Sequence, residues 1–171
     1  MTRFRTFLAG LALALAAALT PFAATAQSLT DFAENKLIDA VFRGQSLGAP
    51  ATFHVALFTA AANCETGSVT EVSGGSYARV AVTSSLANWA GTQSAGSTTA
   101  SSGTGGQTSN NGSISFPAPT ANWGTVTHFG LYSASSGGDL WICQALATSK
   151  SVNSGDSAPA FNAGALTITF Q

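Results

Sequence analysis

The stretch ANWGTVTHFGLYSASSGGDLWICQALATSK, residues 121–150, decides the fold. Two of its segments, 125–133 and 140–147, are rich in β-branched and aromatic residues, as strands are. Residues 134–139 between them are small residues, glycines and one aspartate, which is typical of a turn. The stretch therefore predicts a β-hairpin.

Both faces of the first strand carry apolar side chains. Because successive side chains in a strand point to opposite faces, we expect Val126, His128 and Tyr132 on one face. Phe129 and Leu131 then lie on the other face. A strand that is apolar on both faces is usually central in its sheet and covered on each side. We predict that this hairpin forms the middle of a sandwich.

The rest of the chain predicts strands packed onto this hairpin and one helix before them. Strands are expected at 52–60, 77–84, 113–116 and 166–170, and a loop at 63–75. The predicted fold class is mainly β: an antiparallel, jelly-roll-like β-sandwich with one N-terminal α-helix.

The helix is predicted over residues 28–44, with its helical residues at about 29–43. Ser28 is the expected N-cap and Gly44 the expected stop. Its apolar stripe consists of Leu29, Phe32, Ala33, Leu37, Ala40 and Val41. We expect this stripe to pack on the sheets; the alternative is that it binds a neighbouring subunit.

Residues 93–112 contain no apolar side chain larger than alanine. Such a segment cannot bury enough apolar surface to offset the entropy lost on ordering. We predict an exposed, flexible Gly/Ser/Thr loop at about 93–112, which is a plausible contact surface.

The N-terminus has the features of a secretory signal peptide. Arg3 and Arg5 precede an apolar run at 8–19, and Ala24-Thr25-Ala26 fits a cleavage site. The run is too short for a membrane anchor, which needs about 20 apolar residues. We predict a signal peptide at 1–26 and one domain at 27–171 that is exported to the periplasm or beyond, with no membrane span after cleavage.

The charge of the predicted domain is small. The chain has six basic and seven acidic residues. Cleavage would remove Arg3 and Arg5, which leaves four basic residues and a net charge of −3. This balance argues against nucleic-acid binding, which needs clustered basic residues. A surface with few charges suits close packing between subunits, because few charges need desolvation.

Cys64 and Cys143 are the only cysteines. An even number of cysteines in an exported chain favours a disulfide between them. The alternative is two separate buried thiols.

The candidate chemical motifs are weak. Residues 44–48 match G-x-S-x-G, but a helix precedes them and a strand follows, which reverses the order of a nucleophile elbow. His54 and His128 lie within apolar runs, and the close-spaced ligand pairs of structural zinc sites are missing. We predict no catalytic residue, no metal and no cofactor. Arg79 is expected either to pair with Glu71 across the turn at 73–76 or to lie on a sheet edge.

The strand and turn aromatics suggest a second kind of site. Trp89, Trp123, Trp141 and Tyr132 could form a surface on which sugars stack, with Trp89 and Trp123 as its expected contact residues. Aromatic side chains in strands more often belong to the core.

Several segments resemble a family of small tailed-phage proteins, the tail fibre or minor virion structural proteins. They include TEVSGGSYAR at 70–79, NWGTVTHFG at 122–130, SKSVNSGD at 149–156 and the closing strand at 166–170, and the resemblance covers 29–171 in order. It implies a non-enzymatic, β-rich subunit located in a virion and supplies no catalytic residue. A prophage-derived gene adapted for export, or a misplaced start codon, would reconcile it with the signal peptide.

The main hypothesis is a structural subunit that forms homo-oligomers or joins other virion or surface-assembly subunits. The alternative is a secreted module that binds carbohydrate or cell surfaces.

Overall fold

A computed structural model describes residues 29–170, and the predicted signal peptide lies outside this range. The predicted fold class is confirmed: the described chain is mainly β, with antiparallel sheets and one N-terminal helix. Its elements are α1 (Asp31–Phe42), β1 (Thr52–Asn63), β2 (Ser68–Glu71), β3 (Val80–Thr83), β4 (Gln107–Ser109), β5 (Ile114–Ser115), β6 (Gly124–Tyr132), β7 (Leu140–Val152), β8 (Ala160–Phe161) and β9 (Thr167–Thr169).

The main sheet is built around β6, as the hairpin stretch predicts. Strand β6 pairs with β1 on one side and with β7 on the other, in the order β2-β1-β6-β7. The short strands β2 and β3 both pair with β1 along its remaining edge. All these pairings are antiparallel. Residues 128–132 of β6 have neighbours on both sides, so the backbone polar groups of this half of the strand are satisfied within the sheet.

Two short ribbons, β4–β9 and β5–β8, supply a second layer. Apolar residues from the ribbons and from one face of the main sheet belong to the same buried cluster. The sheet contributes Val55, Leu57, Phe129, Leu131 and Ile142, and the ribbon segments contribute Ile114, Phe116, Leu166 and Ile168. This packing of two β layers against one core is the sandwich arrangement.

A smaller apolar cluster covers the other face of the main sheet. It contains Ala56, Phe58, Leu140 and Cys143, with Tyr132 packed against it. Phe58 is fully buried there. Gly130 lies beneath its ring, and a Cβ added at Gly130 would stand 2.5 Å from the Phe58 ring and 2.7 Å from Leu140. Because glycine has no side chain, residue 130 leaves room for the Phe58 ring.

The predicted faces of β6 need one correction. Val126 belongs to the same buried cluster as Phe129 and Leu131, and not to the face that carries Tyr132. The pairing of β6 with β7 is irregular between Val126 and His128, where the register shifts. Such a bulge interrupts the strict alternation of side chains. Counting every second residue therefore assigns side chains on the far side of the bulge to the wrong face of the sheet.

Two predicted loops contain strands. Strand β2 lies in the segment predicted as a loop at 63–75, and β4 lies in the flexible loop predicted at 93–112. Both are short and polar, so they lack the apolar alternation that identifies a strand. The end of the second loop is also buried: Asn110 is 1% exposed. Its side chain donates to the carbonyls of Gly112 and Asn162 and accepts from the Leu166 N–H, so polar contacts order this part of the loop.

The helix begins later than predicted. Its N-cap is Thr30, whose hydroxyl accepts from the Ala33 N–H, and not Ser28. The same hydroxyl donates to the Leu140 carbonyl, and the Thr30 N–H donates to the Trp141 carbonyl. Gly44 follows with a φ of +67°, as expected of a residue that ends a helix. Within residues 29–170, no helix has the length and apolar character needed to cross a membrane.

We predict that Gly130→Ala lowers the free energy of unfolding by about 1–3 kcal/mol, because the added methyl group overpacks the cluster around Phe58. Replacing a glycine in a strand by alanine would by itself raise the free energy of unfolding by about 0.5–1 kcal/mol, which is less than this loss. Urea denaturation followed by tryptophan fluorescence measures the change. Gly112→Ala is the matched control, because nothing lies within 4 Å of its added Cβ. Equal midpoints for the two variants would contradict the prediction.

Candidate functional site

Helix α1 exposes an apolar surface that we call the helix patch: Leu37, Ile38, Val41 and Phe42. Their side chains are 43%, 49%, 62% and 80% exposed. Ala33, Leu37 and Val41 follow one another at intervals of four residues, so they form one line along the helix. Burial decreases along this line, with Ala33 buried and Val41 exposed. The helix therefore contacts the sheet at its beginning and projects away from it toward its end.

The expectation that the whole apolar stripe packs on the sheets is wrong for the second half of the helix. The cause is the anchoring of α1 at one end, where Thr30 is hydrogen-bonded to the start of β7 and the Asp31 N–H donates to the Glu65 carbonyl. No apolar layer of residues 29–170 covers the helix patch. Large apolar side chains clustered on a surface in this way commonly mark an interaction site.

An apolar groove lies between α1 and the opposite layer. It has a volume of about 1100 Å³. Leu29, Ala33 and Leu37 form its helix wall. Its floor comes from Phe53 of β1, Leu131 of β6 and Trp141 and Ile142 of β7, and its far wall comes from Leu86, Trp89, Ile168 and Phe170. Leu37 belongs to both the groove and the helix patch, so the two surfaces are continuous.

The groove is lined by apolar and uncharged polar residues. Its polar residues are Ser84, Ser85, Thr92, Ser101, Gln107 and Thr108, and none of the lining residues carries a charge. On the floor, the Trp141 ring packs edge-on against Phe32 and Phe53, with ring centroids 5.5 Å and 6.1 Å away. Without a fixed charge, the groove cannot select an ionic ligand, whereas it suits an uncharged apolar one.

The two tryptophans proposed as a contact surface are separated by the fold. Trp123 is only 5% exposed, and its indole N–H donates to the Gly75 carbonyl at 2.9 Å. It packs edge-on against Tyr77, so it lies in the core and not on a surface. Trp89 is half-buried in the wall of the groove. Of the two, only Trp89 belongs to the candidate site.

The predicted Arg79–Glu71 pair is confirmed, and it joins segments of the fold. The guanidinium donates to both carboxylate oxygens of Glu71, at 2.8 Å and 2.7 Å. It also donates to the carbonyls of Ala134 and Gly137 in the hairpin turn and stacks on the Tyr132 ring at 3.5 Å. This arrangement satisfies a nearly buried charge and fixes the turn between β6 and β7.

Tyr77 and Arg79 keep their usual protonation states in the neutral pH range, because the pKa of each is raised. Burial raises the pKa of Tyr77, and the nearby Glu71 carboxylate raises it further, although a bond from the Leu57 N–H opposes this. Burial alone would lower the pKa of Arg79, but the hydrogen bond and charge of Glu71 outweigh it, so the pKa rises. Neither group is suited to exchange a proton at neutral pH.

His128 and the serine of the G-x-S-x-G match have local hydrogen-bond partners, whereas Nδ1 of His54 is buried without one among the described residues. Nδ1 of His128 lies 2.8 Å from the Thr127 hydroxyl, and burial lowers the pKa of this ring. His54 pairs across the sheet with Ala81 and Tyr132. The Ser46 hydroxyl accepts from the Gly48 N–H within a turn after the helix. Within the part of the chain that the structure describes, no three His, Cys, Asp or Glu side chains are grouped as a metal site would require.

The comparison with protein families shows the family of the chain. The family described as podophage GP4 fiber I protein gp80 matches residues 28–169. The chain belongs to this family. A search of curated proteins finds no match to it. The fibre family has a structural role in the virion, which agrees with the resemblance stated from the sequence.

Part of the site in this fibre-family chain lies outside the sequence prediction. The predicted apolar stripe omits Ile38 and Phe42, yet they are among the most exposed large side chains of the helix. The signal is present in the sequence, because DFAENKLIDAVF places four large apolar residues within the last six positions of the helix. The groove has no such local signal, since its walls come from segments distant in sequence.

The structure joins Cys64 and Cys143 by a disulfide, with 5.3 Å between their Cα atoms. The bond links the turn after β1 to β7 across the smaller apolar cluster. Their separation of 79 residues makes the closed loop long. In the chain-entropy model a loop of this length gives about 4.5 kcal/mol of stabilisation.

We predict that reducing this disulfide lowers the free energy of unfolding by about 2–4 kcal/mol. Urea denaturation of the fibre-family chain with and without a phosphine reductant measures the loss. The Cys64→Ser/Cys143→Ser double variant should match the reduced protein and should not respond to reductant. An unchanged unfolding midpoint after complete reduction would contradict the prediction.

Proposed function

We propose that the protein is a non-enzymatic structural subunit of a phage-type fibre that acts by assembling with copies of itself. The helix patch is the observation that carries the proposal. Four large apolar side chains remain exposed on a projecting helix of a fibre-family chain. Leaving this surface in water is unfavourable, and contact with another subunit would remove it.

The polar side chains support a structural role. Those with the strongest contacts fix segments of the fold: Arg79 holds the hairpin turn, Asn110 orders the end of a loop, and Thr30 anchors the helix. A nucleophile activated by a neighbouring base is the usual requirement of hydrolytic catalysis. Ser46 and His128 instead have local partners, which favours assembly over chemistry.

Light scattering coupled to size-exclusion chromatography tests the proposal on the purified protein. We expect a molar mass that is a multiple of the chain mass and that persists over a range of concentrations. Sedimentation of the protein with phage-like particles from the producing cells would support a role in a virion. A monomer at high concentration that does not associate with particles would contradict the proposal.

We also propose that the chain is exported after cleavage of the signal peptide at 1–26. The disulfide supports this, because such bonds persist in oxidising compartments. The intact mass of protein recovered from the periplasm or medium should correspond to a chain that begins at Gln27 and contains one disulfide. A mass that includes residues 1–26 would exclude this processing.

A second candidate function, carbohydrate or cell-surface binding, is favoured by one feature of the groove. Trp89 stands in its wall among the hydroxyl groups of Ser85, Thr92 and Thr108, and aromatic rings beside hydroxyls suit sugar stacking. A glycan array tests this candidate. Binding that Trp89→Ala abolishes and Ser135→Ala leaves unchanged would support it; the absence of binding, or binding unaffected by Trp89→Ala, would remove it.

A further inference from the structure

We propose that the apolar groove receives the end of helix α1 from a second copy of this chain, and that the exchange is reciprocal. This inference rests on the proposed function, since it names the partner and the surface of the assembly. Each copy carries both parts of the contact. The projecting part is the helix end with Val41 and Phe42, and the receiving part is the groove.

The chemistry of the groove matches this occupant. Its lining is mostly apolar, with uncharged polar residues and no charge, so a charged peptide or an anionic polymer would lose hydration without gaining an ion pair. The end of α1 offers the matching character, because Ile38, Val41 and Phe42 are exposed and uncharged. A chain with few charged residues therefore provides an apolar receptor and an apolar ligand on the same molecule.

The position of the groove fixes the geometry of the pairing. Leu29, just before the helix, forms the groove wall together with Ala33 and Leu37, whereas Val41 and Phe42 lie beyond it. Two helices that lie antiparallel about a two-fold axis near Leu37 would each place the helix end in the groove of the other copy. An interface of this kind is self-complementary and closed, as in most dimers.

The charges of the helix agree with an antiparallel arrangement. Asp31 and Glu34 lie in its first turn, and Arg43 caps its end. In the proposed pair, Arg43 of one copy lies beside the acidic start of the helix in the other copy. The side chain of Arg43 is 71% exposed and bonded to Asp39 at 2.9 Å, so it can also reach outward. Antiparallel helix dipoles are compatible with this arrangement.

Two charged variants test the contact from its two sides. Phe42→Glu adds a carboxylate to the projecting helix end, and Ser85→Lys adds an ammonium group at the edge of the groove. Both positions are exposed, so both variants should fold, which circular dichroism and the urea midpoint verify. Ser135→Glu, on the exposed hairpin turn, is the control for added charge.

In light scattering we expect each of the first two variants alone to be shifted to the monomer mass at concentrations where the natural chain and Ser135→Glu are dimers. Mixing the two variants should restore a dimer. In the mixed pair, the carboxylate introduced by Phe42→Glu meets the ammonium group introduced by Ser85→Lys in one groove, and an unchanged helix end enters an unchanged groove on the other side. Native mass spectrometry should show that the restored dimer contains one copy of each variant.

The outcomes separate this inference from the proposed function. If the natural chain is a monomer, the proposed function fails and this contact fails with it. If the natural chain is an oligomer that neither variant alters, or if the mixture stays monomeric, assembly uses another surface and only this inference is overturned. A bound apolar small molecule or glycan that Ser85→Lys displaces from an intact oligomer would overturn it in favour of a ligand.

Discussion

The fold depends on the burial of one strand, β6, on both faces and along both edges. Residues 128–132 of β6 pair with β1 on one edge and β7 on the other, so this half of the strand leaves no free edge for another chain. Phe129 and Leu131 enter the larger core, while Gly130 leaves space for Phe58 on the opposite face. Both apolar clusters pack on this strand. A side chain added at Gly130 would therefore displace Phe58, and the register shift near Val126 sets which side chains enter the larger cluster.

The contacts of the helix explain why the candidate site exists. Hydrogen bonds from Thr30 and Asp31 hold the beginning of α1 against β7 and the turn after β1. At the other end, Arg43 bonds to Asp39 of the same helix and not to the sheet. This geometry creates the groove on one side of the helix and exposes the helix patch farther along the same line. A helix packed along its whole length would have filled the groove and left neither surface.

The sequence predicts elements with strong local patterns, such as the hairpin, β1 and α1, and misses features that depend on distant contacts. Asn110 is one such feature, because backbone groups around 162–166, distant in sequence, help to order its polar segment. The flexibility predicted for residues 93–106 stays a prediction. In the site, the exposure of Phe42 depends on the angle at which the helix leaves the sheet, and no local pattern sets that angle. Trp123 is predicted on a contact surface but is buried, since the Gly75 carbonyl and the Tyr77 ring hold it in the core.

The small number of charged residues affects both the stability of the fold and the hydration of its surface. A surface covered by hydroxyl groups offers few ion pairs for stabilisation, and exposed pairs contribute little in any case. The fold instead relies on a double-faced core, a disulfide and side chains such as Arg79 that bond to backbone carbonyls. The same composition lowers the cost of bringing two copies together, because uncharged surfaces lose less hydration on contact. A surface of this composition agrees with the structural role of the fibre family to which the chain belongs.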